Sequence, residues 1–263
     1  MRNGFTKIDD DKRIRSRAGN CLMSYGLSML LPCPSVVEMA ALHGYDFIRI
    51  DCEHALLSYP EIRELMAAAR LLGIPCQIRT PDLANITALL GQEPAGIMIP
   101  HVESREEAQT AVDCCKFAPC GRRGMDGSAR HMRCGGMKRE EYMEYANRTM
   151  DVIVQIESRE GLLHIDEILS VEGIDMVATG RADLSQELGV PGKKNHPDVI
   201  EAENRIIRKA LEYGKIPTIA ADSEARIAEL AAMGVRCFLI GKDETLLSGA
   251  IKENLEKIRR FPL

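Results

Sequence analysis

The chain contains no tryptophan, and aromatic residues make up only 4% of its 263 positions. Its core therefore has to be aliphatic and methionine-rich, as the interior of a barrel packed with branched side chains is. There is no excess of basic charge. Lys and Arg number 34 against 39 Asp and Glu, for a formal net charge of −5, which argues against a nucleic-acid partner. The segment 21–33 is largely apolar but too short to span a bilayer, and Pro32 and Pro34 close it, so no membrane association is expected. None of the nine cysteines forms a CxxC pair, which removes the usual zinc and redox motifs. An odd cysteine count and a polar, charged N-terminus (MRNGFTKIDDDKRIRSR) read as reduced thiols in a cytoplasmic protein. Neither a GxGxxG following a strand nor a P-loop is present, so the nucleotide-binding α/β folds lose support. No short-period repeat or low-complexity stretch interrupts the chain.

What is present is organised around residues 151–185, DVIVQIESREGLLHIDEILSVEGIDMVATGRADLS. An apolar run from Val152 to Ile156 ends on Glu157. A helical pattern follows, carried by Leu162, Leu163, Ile165, Ile168 and Leu169. A second apolar run, Ile174 to Ala178, leads to Thr179, Gly180 and Asp183. This is a βαβ unit, whose strands have to lie parallel and end at one edge of a sheet. Glu157 and Asp183 both sit just past those ends, where parallel α/β folds build their sites. Two carboxylates there suit a hard divalent cation such as Mg²⁺ or Mn²⁺. The structural alternative is that each acid opens the helix that follows it.

The same alternation covers the chain. Strands are predicted at 25–31, 45–50, 74–78, 96–99, 152–156, 174–178, 216–220 and 235–240. Helices are predicted at 35–43, 60–72, 83–90, 104–116, 138–148, 198–213, 223–233 and 243–260, with a loose arm or short helix over 1–20. Ser104 and Glu107 have the spacing of a capping box, and Gly73 that of a helix stop. The period fails over 119–137, a stretch rich in glycine and basic residues. Eight strands alternating with helices close most naturally into a single (β/α)₈ (TIM) barrel domain over 1–263; an open doubly wound sheet is the alternative. Ionisable or polar residues follow the strands repeatedly: Asp51, Glu53 and His54; Arg79; His101; Gln155 and Glu157; Asp183; Asp222; Lys242 and Asp243. Each has an ordinary structural reading alone, as an ion pair, a hydrogen-bonded histidine or a helix-start acid. Their convergence on one barrel face is what points to a site.

Here a resemblance becomes specific. The segments GYDFIRIDCEH (44–54), IRTP (78–81), FAPCGRRG (117–124), VQIESREGL (154–162), IDMVATGRADLSQELG (174–189) and FLIGKDETLL (238–247) run in the order of the HpcH/HpaI family of metal-dependent class II pyruvate aldolases and span nearly the whole chain. The separations His54–Arg79 and Glu157–Asp183 also match that family. The resemblance implies a phosphoenolpyruvate/pyruvate-type (β/α)₈ barrel in which Glu157 and Asp183 hold Mg²⁺, Mn²⁺ or Co²⁺ and pyruvate chelates the metal. Arg79 falls on the enolate-stabilising arginine. His54, assisted by Asp51, falls on the base, Gln155 on the substrate-side glutamine, and Arg123 on the arginine of the Gly-x-Arg-Gly loop. The N–H groups of Ala182 and Asp183 open a helix and can take the pyruvate carboxylate. The expected reaction is reversible cleavage of a 4-hydroxy-2-oxoacid to pyruvate and an aldehyde through a metal-stabilised enolate. The expected assembly is a homo-hexamer or trimer of dimers that exchanges its C-terminal helix.

Two departures stand out. The family's usual proline in its GPADLS-like motif is Arg181 here, which reads as solvent-exposed or, alternatively, as a cation near the substrate carboxylate. The family's LDxGA motif is replaced by Leu90-Gly91-Gln92-Glu93-Pro94-Ala95, so its aspartate is missing. The basic stretch 122–139 reads either as a binder of acidic substrate or as a subunit contact. A lyase acting on CoA thioesters, as in the citrate lyase β-like group, and a non-catalytic barrel of the same family are the competing functional readings.

Overall fold

In the computed structural model the described residues are 13–125 and 136–260. Eight strands alternate with helices: β1 (Ser24–Met29), β2 (Phe47–Asp51), β3 (Cys76–Arg79), β4 (Gly96–Ile99), β5 (Asp151–Ile156), β6 (Met176–Thr179), β7 (Ile216–Ala220) and β8 (Cys237–Lys242). All neighbours pair in parallel and β8 pairs with β1, so the sheet closes in chain order. This is the (β/α)₈ barrel, and the open-sheet alternative falls.

Four strands begin two residues later than the apolar runs suggest. Tyr45, Ile74, Ile174 and Val235 precede the ladders and pack in the apolar layers between sheet and helices. An apolar residue entering a barrel strand is buried before it is paired, so hydrophobicity alone marks the start too early. The helix expected after β5 is broken into α7 (Arg159–Leu163) and α8 (Ile165–Leu169), with His164 both ending the first and starting the second. Gly73 does stop its helix, in the left-handed conformation at φ 66°. Ser104 caps its helix by accepting from the Glu107 N–H at 3.2 Å, but the Glu107 carboxylate takes the N–H of Glu103 instead of Ser104, so the reciprocal box is displaced by one residue.

Period-2 alternation along the strands sorts side chains between the barrel interior and the helix layer. Towards the N-terminal end the interior holds Phe47, Met98, Ile153 and Met176. Above them Arg49 spans the lumen, donating to Gln77 Oε1 at 2.8 and 3.0 Å and to Thr218 Oγ1 at 2.9 Å. Burial pulls this guanidinium down to about 10, so it stays charged at neutral pH. Two residues further along the strands, the same faces present Asp51, Arg79 and Gln155 at the C-terminal rim.

The first helix, α1 (Ile14–Gly19), makes residues 14–19 part of the barrel. Ile14 is buried in the cluster that closes the N-terminal end, and Arg15 lies 2.6 Å from Asp151 and also pairs with Asp175. Burial pushes the Asp151 carboxyl up to about 7 even against the pull of Arg15. Arg15→Ala is expected to cost about 2–3 kcal/mol at pH 8, because it strands a buried carboxylate. A carboxyl whose folded value is raised takes up a proton on folding, so its unfavourable ionisation disappears in acid. Chemical denaturation at pH 5 and pH 8 checks this: the deficit against wild type should be small at pH 5 and full at pH 8.

Candidate metal and active site

Strand ends from β2 to β6 build one connected set of charges at the C-terminal rim. Asp51 is fully buried, and both its oxygens accept from Arg79, Oδ1 from Nε at 3.1 Å and Oδ2 from Nη2. Oδ1 also accepts the N–H groups of Glu53 at 3.1 Å and His54 at 3.2 Å, which folds the chain back after β2. Burial alone raises an acid, but the hydrogen bonds and charge of Arg79 outweigh it and hold Asp51 below the usual carboxylate range. Arg79 Nη1 lies 2.9 Å from Glu53 Oε2. Glu53 Oε1 in turn lies 2.9 Å from His101 Nε2, and His101 Nδ1 lies 3.3 Å from Glu157 Oε1. The same Glu157 oxygen accepts the His101 N–H at 3.2 Å, and Gln155 Nε2 donates to the other, Oε2.

Gly180 makes room for this arrangement. A Cβ there would lie 1.9 Å from Glu157 Oε2 and 2.8 Å from Gln155 Nε2, so the end of β6 has to be glycine for the Glu157 carboxylate to occupy its position. Burial pushes the Glu157 carboxyl up, and the nearby Asp183 charge adds to it while His101 opposes it. Asp183 opens α9 (Arg181–Glu187), whose N-cap Gly180 supplies no side-chain cap to the first-turn N–H groups.

A divalent cation fits this rim. Glu53, His101 and Glu157 each offer a ligand atom, and the three lie within 4.8 Å of one another. Glu53 Oε2 is buried and makes no hydrogen bond, its contact with Arg79 being out of hydrogen-bond alignment. Asp183 is near enough for its charge to act on Glu157 but is not one of that compact trio. Sequence reasoning placed Glu53 and His101 among the strand-end residues without giving either a role. The signal available for them was only their position after β2 and β4.

The structure separates other expected residues. His54 is half-exposed, and its ring approaches Glu53 Oε2 at 3.7 Å; the Asp51 carboxylate meets only its backbone N–H. Asp51 is thus committed to Arg79 and is not positioned to assist the His54 ring. Arg123 does not join the rim. It stacks 4.4 Å over the Phe117 ring, donates to the Leu90 carbonyl at 3.3 Å, and lines a small cavity with Glu93, Ala95, Thr149 and Met150, residues at or before the starts of β4 and β5. That places Arg123 and Glu93 at the opposite end of this chain's barrel. Of the basic stretch 122–139, residues 126–135 lie outside the described residues.

Arg181 is not solvent-exposed, and its contacts are with Glu203 and Asn195 instead of the Asp51–Glu157 cluster. Its side chain is only 9% exposed, with Nε 3.6 Å from the buried Glu203 and Nη1 donating to Asn195 at 2.9 Å. Glu203 also receives Thr179 at 2.9 Å and Arg226. Arg181 occupies the first position of α9, where proline is well tolerated. Arg181→Pro is therefore expected to lower stability by about 1–2 kcal/mol through the lost hydrogen bonds, with Glu203 still held by its other partners. Thermal denaturation measures the cost. An acceptor panel should return the wild-type aldehyde preference, and a shift away from acidic aldehydes would mean that Arg181 does reach substrate.

The profile of the family described as HpcH/HpaI aldolase/citrate lyase matches residues 25–248. The 2-keto-3-deoxy-L-rhamnonate aldolase of Escherichia coli (strain K12) is 34% identical over 224 residues, covering 84% of this chain and 83% of that protein. The Klebsiella pneumoniae enzyme of the same name is 34% identical over 225 residues, with the same coverage. Among solved structures, the HpcH/HpaI aldolase from Desulfitobacterium hafniense superposes with a TM-score of 0.88 at 28% identity, over 94% of this chain and 97% of that one. The citrate synthase SbnG superposes with a TM-score of 0.87 at 30% identity, over 95% and 98% of the two chains.

Proposed function

The chain belongs to the HpcH/HpaI aldolase/citrate lyase family, and from that membership we propose that it is a class II pyruvate aldolase reversibly cleaving a 4-hydroxy-2-oxoacid to pyruvate and an aldehyde. It is a carbon–carbon lyase, and it depends on a divalent cation. The observation that carries the reading is the connected chain of ionisable groups Asp51–Arg79–Glu53–His101–Glu157, which ends beside Asp183 at the barrel rim.

Glu157 and Asp183 would hold a divalent cation, which would supply Lewis-acid stabilisation where negative charge develops on a keto oxygen. The protein's own groups do the rest. Arg79, held rigid from both sides by Asp51 and Glu53, presents a fixed cation to the same developing charge without reorganising. His54 is exposed enough to reach substrate, and imidazole exchanges protons near neutral pH, so it takes the proton from the pyruvate methyl carbon. Gln155 orients Glu157 through Oε2, and the first-turn N–H groups of Ala182 and Asp183 receive the pyruvate carboxylate. Asp51 acts by positioning Arg79.

The apolar stripe Leu247, Ile251, Leu255 and Ile258 on the last helix, α12 (Asp243–Arg259), stays 47–64% exposed, which favours homo-oligomeric assembly through that helix. No helix among the described residues is long and apolar enough to cross a membrane. The aldehyde specificity is tested by incubating the purified protein with Mn²⁺ or Mg²⁺, pyruvate and an aldehyde panel. Activity only on malyl- or citramalyl-CoA would replace this reading with that of a CoA-thioester lyase.

A further inference from the structure

We propose that His101 is a nitrogen ligand of the metal centre, binding through Nδ1 beside Glu157, with Glu53 as the carboxylate that fixes its tautomer, so that the centre takes a nitrogen-accepting cation such as Mn²⁺, Co²⁺ or Zn²⁺ in preference to Mg²⁺. This rests on the metal-dependent aldolase reading and specifies the donor set. Glu157 and Asp183 alone are an all-oxygen pair, which suits Mg²⁺; an imidazole shifts preference along the first-row metals.

Three observations converge on His101. The chain leaves β4 through Pro100 and turns at His101 with φ 53°, in the left-handed region. That turn sends both the His101 N–H and Nδ1 to the same Glu157 oxygen, at 3.2 and 3.3 Å. Its other ring nitrogen, Nε2, lies 2.9 Å from Glu53 Oε1. Metal-bound histidines nearly always donate their second ring N–H to a carboxylate, which sets the tautomer and leaves the first nitrogen's lone pair for the metal. Here that carboxylate is supplied by a side chain only 10% exposed, locked from behind by Arg79 and with one oxygen making no hydrogen bond. A histidine needed only to hold Glu157 would already do so through its backbone N–H. The imidazole, with its ring nitrogens shared between the buried Glu157 and the largely covered Glu53, has a geometry suited to ligation.

Pulsed EPR of the full-length protein loaded with Mn²⁺ tests the assignment without relying on turnover. Wild type and His54→Ala should show imidazole ¹⁴N modulation, and His101→Ala should lose it. Equilibrium dialysis should show Co²⁺ affinity falling about 10–100-fold in His101→Ala and about 10-fold in Glu53→Ala. Glu53→Gln, whose amide oxygen still accepts from Nε2, should recover part of that loss. Mg²⁺ affinity should change by less than about threefold in His101→Ala. Stoichiometric Mn²⁺ in wild type without ¹⁴N modulation overturns the proposal and leaves the metal-dependent reading standing, whether or not any variant folds. Modulation that survives in His101→Ala also overturns it. Absence of Mn²⁺ binding by wild type overturns both.

Discussion

Glu157→Ala should retain no stoichiometric divalent cation after dialysis and should lose aldol turnover by roughly 10³-fold or more, the scale seen when preorganised charge stabilisation is removed. Glu157 is the residue on which the rim converges: His101 reaches it by two routes, Gln155 binds its second oxygen, and Asp183 faces it electrostatically. Asp183→Ala should fail in the same way, because it removes one of the two carboxylates proposed to hold the cation. A milder route to the same loss is Gly180→Ala. Its added methyl carbon would lie 1.9 Å from Glu157 Oε2 and 2.8 Å from Gln155 Nε2, so the carboxylate and the amide that binds it have to move. Metal retention measured by elemental analysis, alongside turnover and a melting curve, separates this from unfolding. Gly180→Ala should melt near wild type and bind metal poorly. Wild-type aldolase activity unaffected by a chelator would remove the basis of all three expectations.

The fold was legible because barrel strands announce themselves twice, by an apolar run and by the ionisable residue that ends it. Gly96–Ile99 and Ile216–Ala220 were bounded correctly from those signals. What the sequence did not carry was direction. Arg181 has the same neighbours in sequence whether it faces substrate or Glu203, and the buried carboxylate that claims it lies 22 positions on. Asp51 likewise has His54 three residues away and Arg79 far off in sequence, yet the β2–β3 register sets Asp51 directly opposite Arg79. Cross-strand adjacency, invisible without the register, decides that pairing. His101 was hidden for a further reason: its role depends on a left-handed turn that no local glycine or asparagine signals.

That register changes what is expected of the proton-transfer step. Oxaloacetate loses CO₂ when its C–C bond breaks and the electron pair passes into the pyruvate enolate, so reaching the enolate by this route removes no proton from carbon. Deuterium exchange into the pyruvate methyl group does depend on moving that proton, and aldol cleavage depends on a base taking the proton of the 4-hydroxyl group as the C–C bond breaks. His54→Ala is therefore expected to lose exchange and aldol cleavage by about 10²–10⁴-fold, as for loss of a general base, while keeping a larger share of oxaloacetate decarboxylation. Arg79→Ala should lose both, since each path passes through the enolate. Asp51 tells the two roles apart. Were it the partner of the His54 ring, Asp51→Asn would follow His54→Ala and spare decarboxylation. Because its carboxylate instead grips Arg79 through both oxygens, Asp51→Asn should follow Arg79→Ala and depress both reactions together. Measuring the two reactions on one preparation cancels differences in expression and metal loading. Equal losses of exchange and decarboxylation in His54→Ala would make His54 a positioning residue, and decarboxylation spared in Asp51→Asn would return Asp51 to the base.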